Sequence, residues 1–165
     1  MQHNIIKKMN VEIWSLGKEN ETFIDDGVHY YFQKTKPYNP VDMIIIAPPK
    51  RTSATDIDRI KQLEEETILK KLQPQHYLVL LDEKGKPLNS VQWSQQFQQC
   101  MNHGTKTLVL LIGGAYGVSD AIRKRANQTW SLSNLVFPHQ LVRLIVTEQV
   151  YRAFSILANS PYHHS

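Results

Sequence analysis

Residues Leu108–Ile112 form an unbroken apolar run that stops on Gly113-Gly114, with a third glycine at Gly117. Two comparable runs precede it, Val41–Ala47, in which Asp42 is the one charged residue, and Tyr77–Leu81. A strand with one wet face alternates apolar and polar residues. All three read as strands, and Val41–Ala47 suits one covered on both faces, as in a parallel sheet. Val11–Leu16 reads as a further strand ended by Gly17, and Leu135–Phe137 as a short fifth one stopped by Pro138.

Helical patterns fill the intervals. Glu21–Gln33 carries Phe23, Ile24, Val28, Tyr31 and Phe32 at three- and four-residue spacings, and Thr55–Leu72 carries Ile57, Ile60, Leu63, Ile68, Leu69 and Leu72. Asp82–Pro87 reads as a turn. Asn89 or Ser90 then caps a helix in which Trp93, Phe97, Cys100 and Met101 share a face, and Gly104 closes it. Ser119 or Asp120 starts another helix that runs to about Gln128. Pro138 takes the first position of a last helix that reaches about Leu157. Strands alternating with helices predict an α/β fold with a parallel sheet and helices on both faces. No repeat, low-complexity segment or linker divides the chain, so residues 1–165 read as one domain.

Composition narrows the class. A hydrophobic share of 41% and a charged share of 21% fit a globular chain that needs no disulfide or metal to hold a core. Cys100 is the single cysteine, and no Cys/His spacing resembles a zinc site, so no metal is expected. No apolar run spans a bilayer and the first residues lack a signal-peptide pattern, which predicts a cytoplasmic protein. The net charge of +4 permits a polyanionic partner without requiring one.

The chemistry is expected where the strands end, because open α/β sheets bind ligands at such loop clusters. Gly113-Gly114-Ala115-Tyr116-Gly117 follows a strand as a phosphate cradle does, yet it matches neither GxGxxG nor a P-loop and serves equally well as a tight turn. Ser131-Leu132-Ser133-Asn134 is turn-forming. His139 beside Pro138, with Arg143 four residues on, supplies a group that titrates near neutrality. Arg123, Lys124 and Arg125 form a basic cluster, and Lys50 and Arg51 lie in a basic loop over residues 48–53. These residues by themselves give an α/β domain with a ligand loop and no identifiable nucleophile. A nucleotide-dependent enzyme and a non-catalytic ribosome-associated RNA-binding module both remain open.

Six ordered motifs go further. They are Leu81-Asp82 with Gly85-Lys86; Ile112-Gly113-Gly114 with Gly117; Trp130-Ser131-Leu132-Ser133; Phe137-Pro138-His139-Gln140 with Arg143; Glu148-Gln149 with Tyr151-Arg152-Ala153; and Tyr162-His163. Together they resemble the SPOUT-class methyltransferases that modify N3 of a pseudouridine in 23S ribosomal RNA. The resemblance covers Met9 to His164, with Met1–Lys8 as an extension. It departs from the family pattern in the 48–53 loop and at His164-Ser165.

The resemblance implies an α/β fold with a C-terminal trefoil knot, a homodimer, S-adenosylmethionine as cofactor, and action on the assembled ribosome with a substrate pocket formed across the dimer. Knots are rare enough that periodicity alone would not propose one. Carried over residue by residue, it places the cofactor at Leu81, Gly113 and the loop Leu132, Ser133, Asn134, Leu135, Val136 and Phe137, with Gly114 letting the cofactor approach the backbone. It places His139, Arg143, Tyr162 and His163 near the reacting base, where a general base and charge stabilisation are needed. Lys50, Arg51, Arg123, Lys124 and Arg125 are then the candidate phosphate contacts.

Overall fold

The computed structural model describes residues 8–47, 50 and 56–164. In chain order it contains β1 (Asn10–Leu16), α1 (Thr22–Thr35), β2 (Val41–Ile46), α2 (Ile57–Lys71), β3 (Tyr77–Pro87), α3 (Ser90–Asn102), β4 (Thr107–Ile112), α4 (Asp120–Arg125), β5 (Gln128–Ser131) and α5 (His139–Leu157). The strands form one sheet in the order β2-β1-β4-β3-β5, and every pairing is parallel.

The apolar runs explain the layers. Val11, Ile13, Val79, Leu81, Leu108, Leu110 and Ile112 point to one face, where Trp93, Phe97 and Met101 of α3 and Val146, Val150 and Phe154 of α5 cover them. Their neighbours Trp14, Leu16, Leu78, Leu80, Val109 and Leu111 point to the other, where Ile68 of α2 and Ile122 of α4 lie. Side chains alternate along a strand, so a run without polar interruption feeds two cores at once. Asn89 caps α3 in a reciprocal capping box with Gln92, and Gly104 follows that helix at a φ of +77°.

Two expected boundaries fail together. The helix begun by Ser119 ends at Arg125 instead of near Gln128, and the fifth strand is Gln128–Ser131 instead of Leu135–Phe137. A strand needs a partner edge more than an apolar run. Gln128–Ser131 finds one on β3 and fully buries Trp130, whereas Leu135 and Val136 stand 70% and 88% exposed in a loop. Asp82–Pro87, expected to be a turn, extends β3 through a bulge, so that Trp130 pairs first with Leu81 and then with Lys86. Gly85 permits this wrap, since a Cβ there would stand 2.5 Å from the Trp130 carbonyl carbon. Pro138 caps α5 instead of opening its first turn. Of the atypical 48–53 loop, only the exposed Lys50 falls among the described residues; Arg51 lies outside them.

Candidate functional site

The C-terminal ends of β1, β3, β4 and β5 converge on two adjoining cavities. The first, of about 230 Å³, is lined by Leu81, Asp82, Glu83, Gly114, Ser131, Leu132, Ser133, Leu135, Val136, Phe137, His139 and Val142. Ser133 Oγ accepts the Leu135 N–H at 2.9 Å, and this local turn shapes the 132–137 loop. The second cavity, of about 310 Å³, is lined by Leu16, Gly17, Lys18, Ile60, Glu64, Gly114, Ala115, Tyr116, His139, Gln140 and Arg143. Gly114 and His139 belong to both, and so form part of the wall between them.

Most residues assigned to the cofactor therefore meet in one place. Leu81, Gly114, Leu132, Ser133, Leu135, Val136 and Phe137 share the first cavity. Asn134 faces a neighbouring recess with Pro87, Leu88, Asn89 and Gln92. Gly113 lines neither cavity and packs on Val118, whose Cγ1 lies 3.0 Å from where a Cβ would stand.

The residues assigned to the reaction divide into two groups. His139 and Arg143 share the second cavity. The His139 Nδ1 is buried without a hydrogen-bond partner among the described residues. Burial, aided by the Arg143 charge, holds the imidazole below the ordinary histidine range, so the ring is neutral near pH 7. Arg143 is 1% exposed and uses four of its five N–H donors within the protein. Nε donates to Ser15 Oγ at 2.7 Å, Nη1 to the Lys18 carbonyl at 2.8 Å and to Asn20 Oδ1 at 2.7 Å, and Nη2 to the Leu16 carbonyl at 3.3 Å. Its geometry is that of a clamp on the loop after β1.

Tyr162 and His163 line neither cavity. The Tyr162 hydroxyl donates to Glu148 Oε1 at 3.0 Å, and its ring lies 4.6 Å from that of Tyr151 and 4.8 Å from the Arg152 guanidinium. Burial, with Tyr31 and Glu148 adding to it, pushes the Tyr162 phenol well above its ordinary value. The His163 Nδ1 is buried and unpartnered among the described residues. The basic cluster also has structural work: Arg123 pairs with Asp82 at 2.9 Å, and Arg125 donates to the Gln73 and His76 carbonyls, which leaves Lys124 exposed. Burial opposes the charge on Asp82, but the Lys84 N–H and Arg123 outweigh it and hold that carboxyl below its usual value.

The SPOUT methyltransferase family model (its description reads "Predicted SPOUT methyltransferase") matches residues 9–163. The chain belongs to this family. A ribosomal RNA large subunit methyltransferase H of Cytophaga hutchinsonii is 40% identical over 156 residues, covering 94% of this chain and 100% of its own. The protein of the same name from Flavobacterium psychrophilum is 44% identical over 160 residues, covering 94% and 99%. A solved structure of a putative methyltransferase from Legionella pneumophila with bound SAM covers 88% of this chain and 66% of its own, at 10% identity and a TM-score of 0.44, too loose a likeness to carry weight.

For a SPOUT methyltransferase, the residues fit the cofactor the family uses. The first cavity combines apolar side chains with two serine hydroxyls and the Asp82 and Glu83 carboxylates, and at Gly114 the backbone is bare where a side chain would meet the Glu64 carboxylate. No group of acidic, histidine or cysteine side chains suited to a metal occurs among the described residues. Sequence reasoning missed the second cavity's other walls. Gly17 was visible only as a strand end, and Glu64 only as one polar residue of an amphipathic helix.

Proposed function

We propose that this chain transfers the methyl group of S-adenosylmethionine to N3 of a pseudouridine in 23S ribosomal RNA, acting as a homodimer on the assembled ribosome in the cytoplasm. The observation that carries the reading is the convergence of Leu81, Gly114 and the 132–137 loop on one cavity with His139 at its wall. Relatives of the same length and about two-fifths identity carry the name of a large-subunit ribosomal RNA methyltransferase.

Leu81, Gly114 and the 132–137 loop would hold the cofactor, which would supply an electrophilic methyl group on sulfonium and leave as the neutral thioether. The protein's share of the reaction is placement and proton removal. Nitrogen N3 of the base carries a proton that must leave as its lone pair takes the methyl. His139, neutral and with an unspent Nδ1 at the wall between the cavities, is the group placed to accept it. Arg143 fixes the Leu16–Asn20 loop that bounds the second cavity, and so acts as a positioning residue.

Tyr162 sits with Glu148 and Arg152, and neither it nor His163 lines either cavity of its own chain. In a homodimer, the tail of the second copy would be the one to reach the reacting base. The exposed Leu135, Val136 and Leu141 offer apolar surface for it to cover. The knotted threading rests on the resemblance alone. No helix among the described residues is long and apolar enough to cross a membrane.

Incubating the protein and labelled S-adenosylmethionine with unmodified ribosomes, free large subunits and protein-free RNA tests the substrate. Label on assembled ribosomes alone is the expected result. Cofactor binding without label on any of the three overturns the catalytic reading in favour of an RNA-binding module.

A further inference from the structure

Glu64 lies on α2, half-buried, and lines the second cavity with Leu16, Gly17, Gly114 and His139. Both of its carboxylate oxygens stand 2.9 Å from the point a Cβ on Gly114 would occupy. The carboxylate thus lies against the strip of backbone that both cavities share. Among the described residues it has no ion pair within 4.0 Å. Burial raises its pKa despite the opposing pull of Lys61 on its own helix. Of the other charged groups lining that cavity, Lys18 is exposed, and Arg143 gives four of its five N–H donors to Ser15 and the Leu16–Asn20 segment. A carboxylate drawn partly out of water and left without a cation is costly until a ligand supplies one.

Size points the same way. Cavities that hold small molecules and cofactors run from roughly 300 to 1,000 Å³. The 230 Å³ of the first cavity falls short of that range, and the adjoining 310 Å³ brings the pair within it. A ligand with a heterocyclic end and a cationic end can span the pair. Its heterocycle lies among Leu81, Leu132 and Phe137, and its cation passes Gly114 toward Glu64. S-adenosylmethionine is such a ligand: beyond the sulfonium it ends in an amino acid with an α-ammonium group.

Resting on the function proposed above, we infer that Glu64 binds the α-ammonium of the cofactor's methionyl end and is a specificity-determining residue for an adenosyl ligand that carries an amino acid. The second cavity is then the methionyl subsite, and Gly114 is glycine because the ligand crosses its backbone there.

The test is equilibrium binding of wild type and Glu64→Gln to three ligands: S-adenosylmethionine, S-adenosylhomocysteine and 5′-methylthioadenosine. The last keeps the nucleoside and sulfur but lacks the amino acid, so it also reports whether the variant is folded. Glu64→Gln is expected to bind the first two about tenfold or more weakly and 5′-methylthioadenosine as wild type does. Equal affinity of variant and wild type for all three overturns the inference and leaves the methyltransferase reading standing. An equal loss for all three overturns it as well, because Glu64 would then be holding structure. Loss of S-adenosylmethionine alone would place the carboxylate at the sulfonium and overturn the assignment to the ammonium. Wild-type protein that binds none of the three would remove the methyltransferase reading and the inference with it.

Discussion

The Arg143 Nε donates to Ser15 Oγ at 2.7 Å, tying helix α5 to strand β1 across 128 residues of sequence. Three further acceptors, on Leu16, Lys18 and Asn20, complete the clamp. Burial pulls the Arg143 pKa down, while the charges of Glu19 and Asp25 pull the other way. Lysine has neither the planar fork nor enough directed donors to replace it. Arg143→Lys should therefore cost about 3 kcal/mol, the scale for breaking a buried charged network. The check is the midpoint of denaturant unfolding, which should fall with its slope unchanged. A loss of turnover at full stability would instead put Arg143 at the reacting base.

Gly85 is where the extension of β3 crosses β5. A Cβ there would meet Trp130 carbonyl carbon at 2.5 Å, Trp130 nitrogen at 2.7 Å and Thr129 carbonyl carbon at 2.8 Å. All three are backbone atoms, so the strands must separate to admit it. Gly85→Ala should destabilise by about 1–3 kcal/mol, as overpacking does, and lower the melting temperature accordingly.

Gly114→Ala presents a different clash. Its Cβ would meet the Glu64 carboxylate, the far end of a flexible side chain that can swing aside. Gly114 is not among the glycines with positive φ, so alanine brings no backbone strain. The variant should melt within a few degrees of wild type yet bind S-adenosylmethionine about tenfold more weakly, because the added methyl narrows the wall between the cavities. Calorimetric titration reads both ligand affinity and stoichiometry.

His139 carries a pH signature. Its pKa is depressed in the folded protein by burial and by Arg143, against about 6.5 for an exposed histidine. The unfolded chain therefore takes up a proton first as pH falls. Folding stability from this group is complete above about pH 6.5 and declines below it, at up to about 1.4 kcal/mol per pH unit until the folded-state pKa is reached. His139→Gln removes that proton, so the difference in stability between variant and wild type should shift in the variant's favour from pH 7 to pH 5.5. Parallel pH profiles would contradict the burial of a neutral ring.

Much of this was legible in the chain. The continuous runs at Leu108–Ile112 and Tyr77–Leu81 predicted strands, and they supply both cores. Val41–Ile46, expected to be covered on both faces, is instead an edge strand fully buried only at Ile46. Glycines at Gly17 and Gly113-Gly114 marked the strand ends where the cavities open. The short strand Gln128–Ser131 was not legible, because its polar residues pair with β3 through a bulge that depends on tertiary contact. Leu135–Phe137 misled for the opposite reason, being apolar in a loop that lines a cavity. Glu64 carries no local signal at all. A glutamate on a polar helix face and one turned into a ligand cavity share the same sequence pattern, and only the approach of α2 to the Gly114 loop separates them.

The atom that receives the methyl group is decisive. The measurement is mass-spectrometric mapping of ribosomal RNA from unmodified ribosomes after incubation with the protein and labelled S-adenosylmethionine. The prediction is label on a single pseudouridine of the large-subunit RNA, carried on N3 of the base, and absent from a parallel reaction with His139→Gln. Methyl groups on a ribose, on an adenine or guanine, or spread over many sites would contradict it.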